Sequence, residues 1–198
     1  MKKQIISALA LAVASLVAGN AFAQVKEGSW MVRVRAVNLN SANTDSTGLG
    51  LNINDKTIPE VDISYFLNKN VAVELILTVP QEHTLYAGST KLGTLEHLPP
   101  TLLVQYHFDT AGFKPYVGAG INYTRFSSVS LPATVDIDRN SIGAALQVGV
   151  DIPLTGNMYL NFDLKKVYLG TTVSIAGVNK GTFKVDPTLF GVGLGWRF

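Results

Sequence analysis

Eight stretches of this chain alternate, residue by residue, between large apolar side chains and polar, charged or very small ones, and the polar members limit the fold. Successive side chains of a β-strand point to opposite faces, so a period of two marks strands at a boundary between two environments. From Trp30 to about Leu39, Trp30, Val32, Val34 and Ala36 stand opposite Arg33 and Arg35. "TIPEVDISYFL" sets Val61, Ile63 and Tyr65 against Asp62 and Ser64, and "VAVELILTV" sets Val71, Val73, Leu75, Leu77 and Val79 against Ala72, Glu74 and Thr78. The pattern recurs in "TLLVQYHF", "KPYVGAGINYTRF" and "SIGAALQVGVDI", in "MYLNFDLKKVYLG", whose period is expected to slip at Lys166, and in the closing "DPTLFGVGLGWRF".

A soluble sandwich also alternates, so the decisive point is which face carries the charges. A sandwich exposes its charged face to water and keeps its inner face large and apolar. Here the polar face mixes Arg33, Arg35, Asp62, Glu74, Gln105, His107, Gln147, Asp151, Asn161, Asp163, Lys165 and Arg197 with glycine and alanine. It is too charged for a soluble core and too rich in glycine for a broad solvated surface. It fits the narrow lumen of a closed barrel, where small residues make room for long ones. Arg33, Arg35, Lys165 and Arg197 balance Asp62, Glu74, Asp151 and Asp163, as an interior hostile to unpaired charge requires.

The connections alternate too. "LNKN", "DTAGF" and "PLTGN" are tight, whereas residues 40–57, 80–97, 127–139 and 170–186 read as long polar loops. Short turns at one end, long loops at the other, an even strand number and both termini on the short-turn side describe an all-β, eight-stranded antiparallel transmembrane β-barrel. Lipid offers backbone groups no hydrogen bonds, so the last strand must pair with the first. Trp196 and Phe198 are then expected to face outward in an aromatic belt at the periplasmic rim.

Residues 1–23 carry Lys2 and Lys3, an apolar run and Ala21-Phe22-Ala23, the pattern of a cleaved signal peptide. The expected organisation is therefore a signal peptide over 1–23 and one barrel over 24–198. The formal charge of +2 comes from 16 basic and 14 acidic residues, and loss of the two leader lysines equalises them, so the basic balance says nothing of nucleic acid. Cysteine is absent, which excludes disulfides and thiol chemistry.

The stretches "EGSWMVRVRAV", "VAVELILTVP", "LGTLEHLPPTLLVQYHF", "KPYVGAGINYTRF" and "GVGLGWRF" together resemble the OmpW family of small Gram-negative outer-membrane proteins, which includes AlkL-like proteins of hydrophobic-compound uptake. The resemblance covers essentially the whole mature chain. It implies a channel that passes small hydrophobic molecules inward and releases them sideways through the barrel wall. A structural, adhesion or receptor barrel without transport is the alternative.

The residues allow such a route. Pro80 closes the third segment and Pro99-Pro100 open the fourth, so both lose ladder donors near their outer ends. Leu77, Val79, Leu85, Tyr86, Leu92, Leu95 and Leu98 could line an apolar mouth beside these prolines. Arg33, Arg35, Asp62, Glu74, His107, Asp151, Asp163, Lys165 and Arg197 are expected to form a polar lumen network that impedes straight passage and favours sideways exit. His83 and His97 lie in or beside one long connection and could meet in space, but three histidines and no cysteine do not make a metal site. The glycine runs sit within strands and precede no helix, so no cofactor is expected. Ser64, His107 and Asp62 share the inner face, but no spacing assembles them for catalysis, and no enzyme activity is expected. Expected partners are outer-membrane lipid and lipopolysaccharide, small apolar solutes, and the barrel-assembly machinery and periplasmic chaperones during biogenesis; a monomer is the default.

Overall fold

The computed structural model describes residues 28–198; the expected leader and its cleavage site lie outside them. The strands are β1 (Trp30–Asn40), β2 (Thr44–Asp45), β3 (Leu51–Ile53), β4 (Lys56–Phe66), β5 (Val71–Thr78), β6 (Gln81–Ala87), β7 (Thr90–Leu98) and β8 (Thr101–His107). They continue with β9 (Lys114–Ser130), β10 (Val135–Ile137), β11 (Asn140–Pro153), β12 (Met158–Val167), β13 (Gly170–Ile175), β14 (Val178–Lys184) and β15 (Thr188–Arg197). Eight of them, β1, β4, β5, β8, β9, β11, β12 and β15, pair antiparallel in that order, and β15 returns to β1 to close an eight-stranded barrel. Trp30 and Phe198 exchange backbone hydrogen bonds of 3.0 and 2.8 Å at the seam.

The outer wall is apolar because the alternation holds around the whole ring. Ile142 is 77% exposed and Ile121 61%, values that only a hydrocarbon solvent makes acceptable for a continuous band. Glycines admit the closest inner packing: a Cβ on Gly149 would lie 2.3 Å from the Tyr116 ring, and one on Gly193 would lie 2.7 Å from Arg35 Cγ.

Two expectations are corrected. The long connections are not irregular polar loops. Residues 80–97 form the β6–β7 hairpin, which joins the sheet through β9 and carries β3, and β10, β13, β14 and β2 build a second, four-stranded sheet. They order because their inward residues, among them Leu51, Ile53, Leu85, Leu95, Val173 and Phe183, extend the core beyond the barrel. Nor does the period slip at Lys166. Lys165 and Val167 both point inward and are buried, while Lys166 lies on the outer face and donates to the Asp186 carbonyl.

Candidate functional site

The lumen is layered. At the periplasmic end Met31, Phe66 and Ala72 form a small apolar cluster with Tyr159 against it. The Arg197 guanidinium lies 3.6 Å from the Phe66 ring centroid, and His107 packs against Phe66 and Tyr116.

Above this lies a charged floor contributed by strands all round the barrel. Arg33 makes a two-pronged contact with Asp151, Nε to Oδ1 at 3.0 Å and Nη2 to Oδ2 at 2.7 Å, while Nη1 donates to Asp62, Ser64 and, at 3.3 Å, Glu74. Arg35 donates to Glu60 at 2.9 Å and Asn161 at 3.0 Å and pairs with Asp62 and Asp163. Lys165 bridges Glu60 at 2.7 Å and Asp163 at 2.6 Å. Tyr116 and Gln147 donate to Asp163, Gln105 donates to Gln147, and His107 bonds Gln105. Two-pronged arginine contacts and multiple donors per carboxylate are the conditions under which buried charges hold together. The side chains of the floor are almost fully buried against one another.

All nine residues expected in the polar network are buried inside the barrel, but Arg197 stands apart from the other eight, its Nε donating to Ser29 Oγ at 3.3 Å and its guanidinium lying on the Phe66 ring. Glu60 and Tyr116 belong to it as well and were not singled out from the sequence, although both share the inward parity of their neighbours, Asp62 in one case and Gly118 in the other. Ser64 accepts from Arg33, and His107 bonds Gln105, so the serine and histidine are committed to separate partners.

Above Glu60 and Lys165 the same strands turn apolar inside. Val37, Leu39, Ile58, Ile76, Leu103 and Leu189 are all buried there. They too lie on the inward parity, masked in sequence because an apolar residue on either face looks alike. A cavity of about 30 Å³ remains among them. Its floor is Glu60 and Lys165, its walls include Leu39, Ile58, Ile76 and Leu189, and Thr78, Pro99, Thr101 and Asn122 form its side toward β5 and β8.

That side is where the ladder is broken. Pairing of β5 with β8 ends at Ile76 opposite Thr101, and pairing resumes only at Gln81 opposite His97. Between them lie Val79-Pro80 and Pro99-Pro100, whose prolines have no N–H to donate. The stranded carbonyls are capped by side chains. Asn122 Nδ2 donates to Pro99 O at 3.2 Å and Pro100 O at 3.3 Å, Gln81 donates to Val79 O at 2.8 Å, and Thr101 donates to Pro99 O at 3.2 Å.

The expected mouth residues divide. Leu85 and Leu95 are buried in the core above the barrel, with Leu92 packed against it and Tyr86 half-buried on β6. Leu77 alternates with inward Ile76 and so faces the outer side, as does Leu98, whose register partner is the exposed Arg125.

His83 and His97 do meet. Their rings stack with centroids 4.6 Å apart and planes 18° apart. His83 Nδ1 lies 3.0 Å from the Asn54 carbonyl and donates to it, which leaves Nε2 a bare acceptor. His97 is 1% exposed, lines the cavity, and has no partner at either ring nitrogen. Its register partner Phe126 lies beyond outward Tyr123 and Arg125, which places it above the lipid-facing wall. Burial, reinforced by neighbouring His83 and Lys56, pushes His97 down to about 3, and burial also lowers His83.

Residues 19–198 match the family described as OmpW. The chain is 41% identical over 183 residues to an uncharacterized outer-membrane protein, y4mB, of Sinorhizobium fredii, covering 85% of this chain and 80% of that protein. It is 32% identical to outer membrane protein W of Escherichia coli over the full length of both. Among solved structures, the crystal structure of OprG from Pseudomonas aeruginosa superposes with a TM-score of 0.76 at 24% identity, covering 87% of this chain and 97% of that one.

Proposed function

The chain belongs to the OmpW family of Gram-negative outer-membrane β-barrels, and from that premise we propose that it is a channel for small hydrophobic molecules, which enter from outside and leave sideways through the wall. The observation that carries the reading is a coincidence of height. The lumen changes from apolar to charged at Glu60 and Lys165, and the interruption between β5 and β8 opens beside the last apolar layer. A solute moving down the apolar half meets a floor it cannot cross and a wall without a continuous ladder. The route includes Val79, Pro80, Pro99 and Pro100 at the interruption, with Leu85 and Leu95 above it.

A reversible lock tests this. Thr78 and Pro99 line the same small cavity on the two sides of the interruption, and the chain has no cysteine of its own, so a Thr78→Cys, Pro99→Cys double variant can join the two strands. Uptake of a radiolabelled medium-chain alkane by cells carrying the protein should fall on oxidation and recover on reduction. Uptake no faster than in cells lacking the protein, across several apolar solutes, would transfer support to a structural or receptor barrel.

A further inference from the structure

His97 is the anomaly of the upper lumen. A neutral imidazole carries one N–H donor and one bare nitrogen acceptor, and buried groups of this kind almost always find partners. Here both lack one, in a ring that is 1% exposed. The surrounding layer is apolar, and the polar groups nearest in the cavity are engaged elsewhere: Asn122 donates to the proline carbonyls and Thr101 Oγ1, and Thr78 donates to the Pro59 carbonyl. Stacking against His83 disfavours charging either ring, because two imidazolium ions face to face repel.

We propose that His97 is a recognition site for the polar end of the cargo, and that the preferred solutes are apolar molecules bearing one neutral hydroxyl or carbonyl oxygen. The inference rests on the reading of the upper lumen as the solute path. The cavity of about 30 Å³ admits a group the size of one water, which is an oxygen-bearing head and not a hydrocarbon chain. With the oxygen at the imidazole, the chain extends past Thr78 and Pro99 through the interrupted ladder toward lipid. A ring N–H donates to a carbonyl or hydroxyl oxygen, and where the bare ring nitrogen faces the solute instead, a hydroxyl donates to it. A site built around an unpaired polar group discriminates strongly against an analogue that leaves it unpaired, so a plain alkane of equal length competes poorly. A carboxylate is disfavoured, because its charge would enter an apolar layer, and Lys165 in the floor beneath is already held by Glu60 and Asp163.

Only three histidines are present, so the ring nitrogens of the full barrel in nanodiscs can be followed by ¹⁵N NMR. Titration with 1-octanol should shift the His97 nitrogens, and n-octane at the same membrane concentration should not. In competition for uptake into cells, the wild-type protein should favour 1-octanol over n-octane by about tenfold, the worth of one net hydrogen bond. His97→Leu should erase that preference, bringing the ratio of 1-octanol to n-octane uptake to about one. Nitrogens already hydrogen-bonded before any solute is added and unmoved by 1-octanol would mean a resident water only, and would overturn the proposal. So would an unchanged preference in His97→Leu. If 1-octanol moves His97 but neither solute is taken up, the transport reading fails while the binding site stands; if both are taken up equally and His97 is silent, the reverse holds.

Discussion

The lower and upper halves of the lumen are built by the same eight strands in the same register, yet one is held by directional charge pairing and the other by soft apolar contact. In the lower half Arg33 and Arg35 are each fixed by several acceptors at once, as Arg33 is by Asp151, Asp62, Ser64 and Glu74. Moving β1, β4, β5, β11 or β12 would strand a charge. In the upper half Val37, Ile58, Ile76 and Leu189 meet through dispersion contacts that tolerate small displacements, and the adjoining wall lacks its ladder. The difference teaches that the barrel divides its labour by height: the charges keep it shut and upright, and the apolar layer is the part that can yield.

The largest effect should come from breaking the floor. Arg33→Met leaves Asp151, Asp62 and Glu74 facing one another with less positive charge among them, and loss of one partner from a buried network costs about 3–5 kcal/mol. Urea unfolding in lipid vesicles should show that loss. A variant as stable as wild type would mean that the floor is not what locks the barrel, and the contrast between the halves would collapse.

Next in size is Ile76→Ala, in the apolar half beside the interruption. Removing a buried isoleucine side chain costs about 2–4 kcal/mol, but it enlarges the cavity on the proposed path. Stability should fall while uptake of an apolar solute rises, a combination that a purely structural layer does not produce. Lower or unchanged uptake would break the assignment of the upper half as a route.

How much of this contrast is legible in the sequence depends on what the physics repeats. The eight wall segments emerge within a few residues of their ends, because lipid imposes an apolar outer face on every strand. The inward charges emerge by the same parity. Their partners do not: nothing local to Arg33 announces Asp151, since contacts across a closed barrel depend on the stagger of all the intervening strands. The upper apolar layer is hidden for a related reason, since Ile76 and Leu77 look equivalent until the inward face is known. The strands of the extracellular extension are hidden because "LNI" and "TLYA" are short, flanked by polar residues, and ordered only through contact with one another.

A smaller effect separates the halves by pH. The unfolded chain takes up a proton on His97 near pH ~6.5, and the folded chain only near about 3. The contribution of the neutral ring is therefore complete above that unfolded value and is lost progressively as pH falls toward the folded one. His83 shifts in the same direction. Hydrogen exchange corrected for intrinsic rate should show β6 and β7 losing protection over this window before β11 and β12, and His97→Leu should reduce the dependence. Uniform loss across both pairs would mean that the upper part is not a separate, softer unit.

The smallest change in stability should report most directly on the wall. Asn122 is buried at the boundary of the two halves, and its amide holds the carbonyls of Pro99 and Pro100 and the hydroxyl of Thr101. Where a continuous ladder would use backbone donors throughout, Asn122 is the one side chain that bridges both proline carbonyls, alongside the Thr101 hydroxyl on Pro99 O and the Tyr123 amide on Pro100 O. Asn122→Ala removes it at a cost of about 1 kcal/mol, because the freed carbonyls can turn toward water or neighbouring hydroxyls and the charged floor below is untouched. The urea midpoint should barely move, yet uptake should quicken and the Tyr123 amide, which donates to Pro100 O, should exchange faster. The pairing of those two changes is the point. If the amide loosens and uptake stays constant, the interrupted ladder is a local irregularity and the solute leaves elsewhere; if both rise together, the side-chain clamp on two proline carbonyls is the closure that a passing molecule has to part.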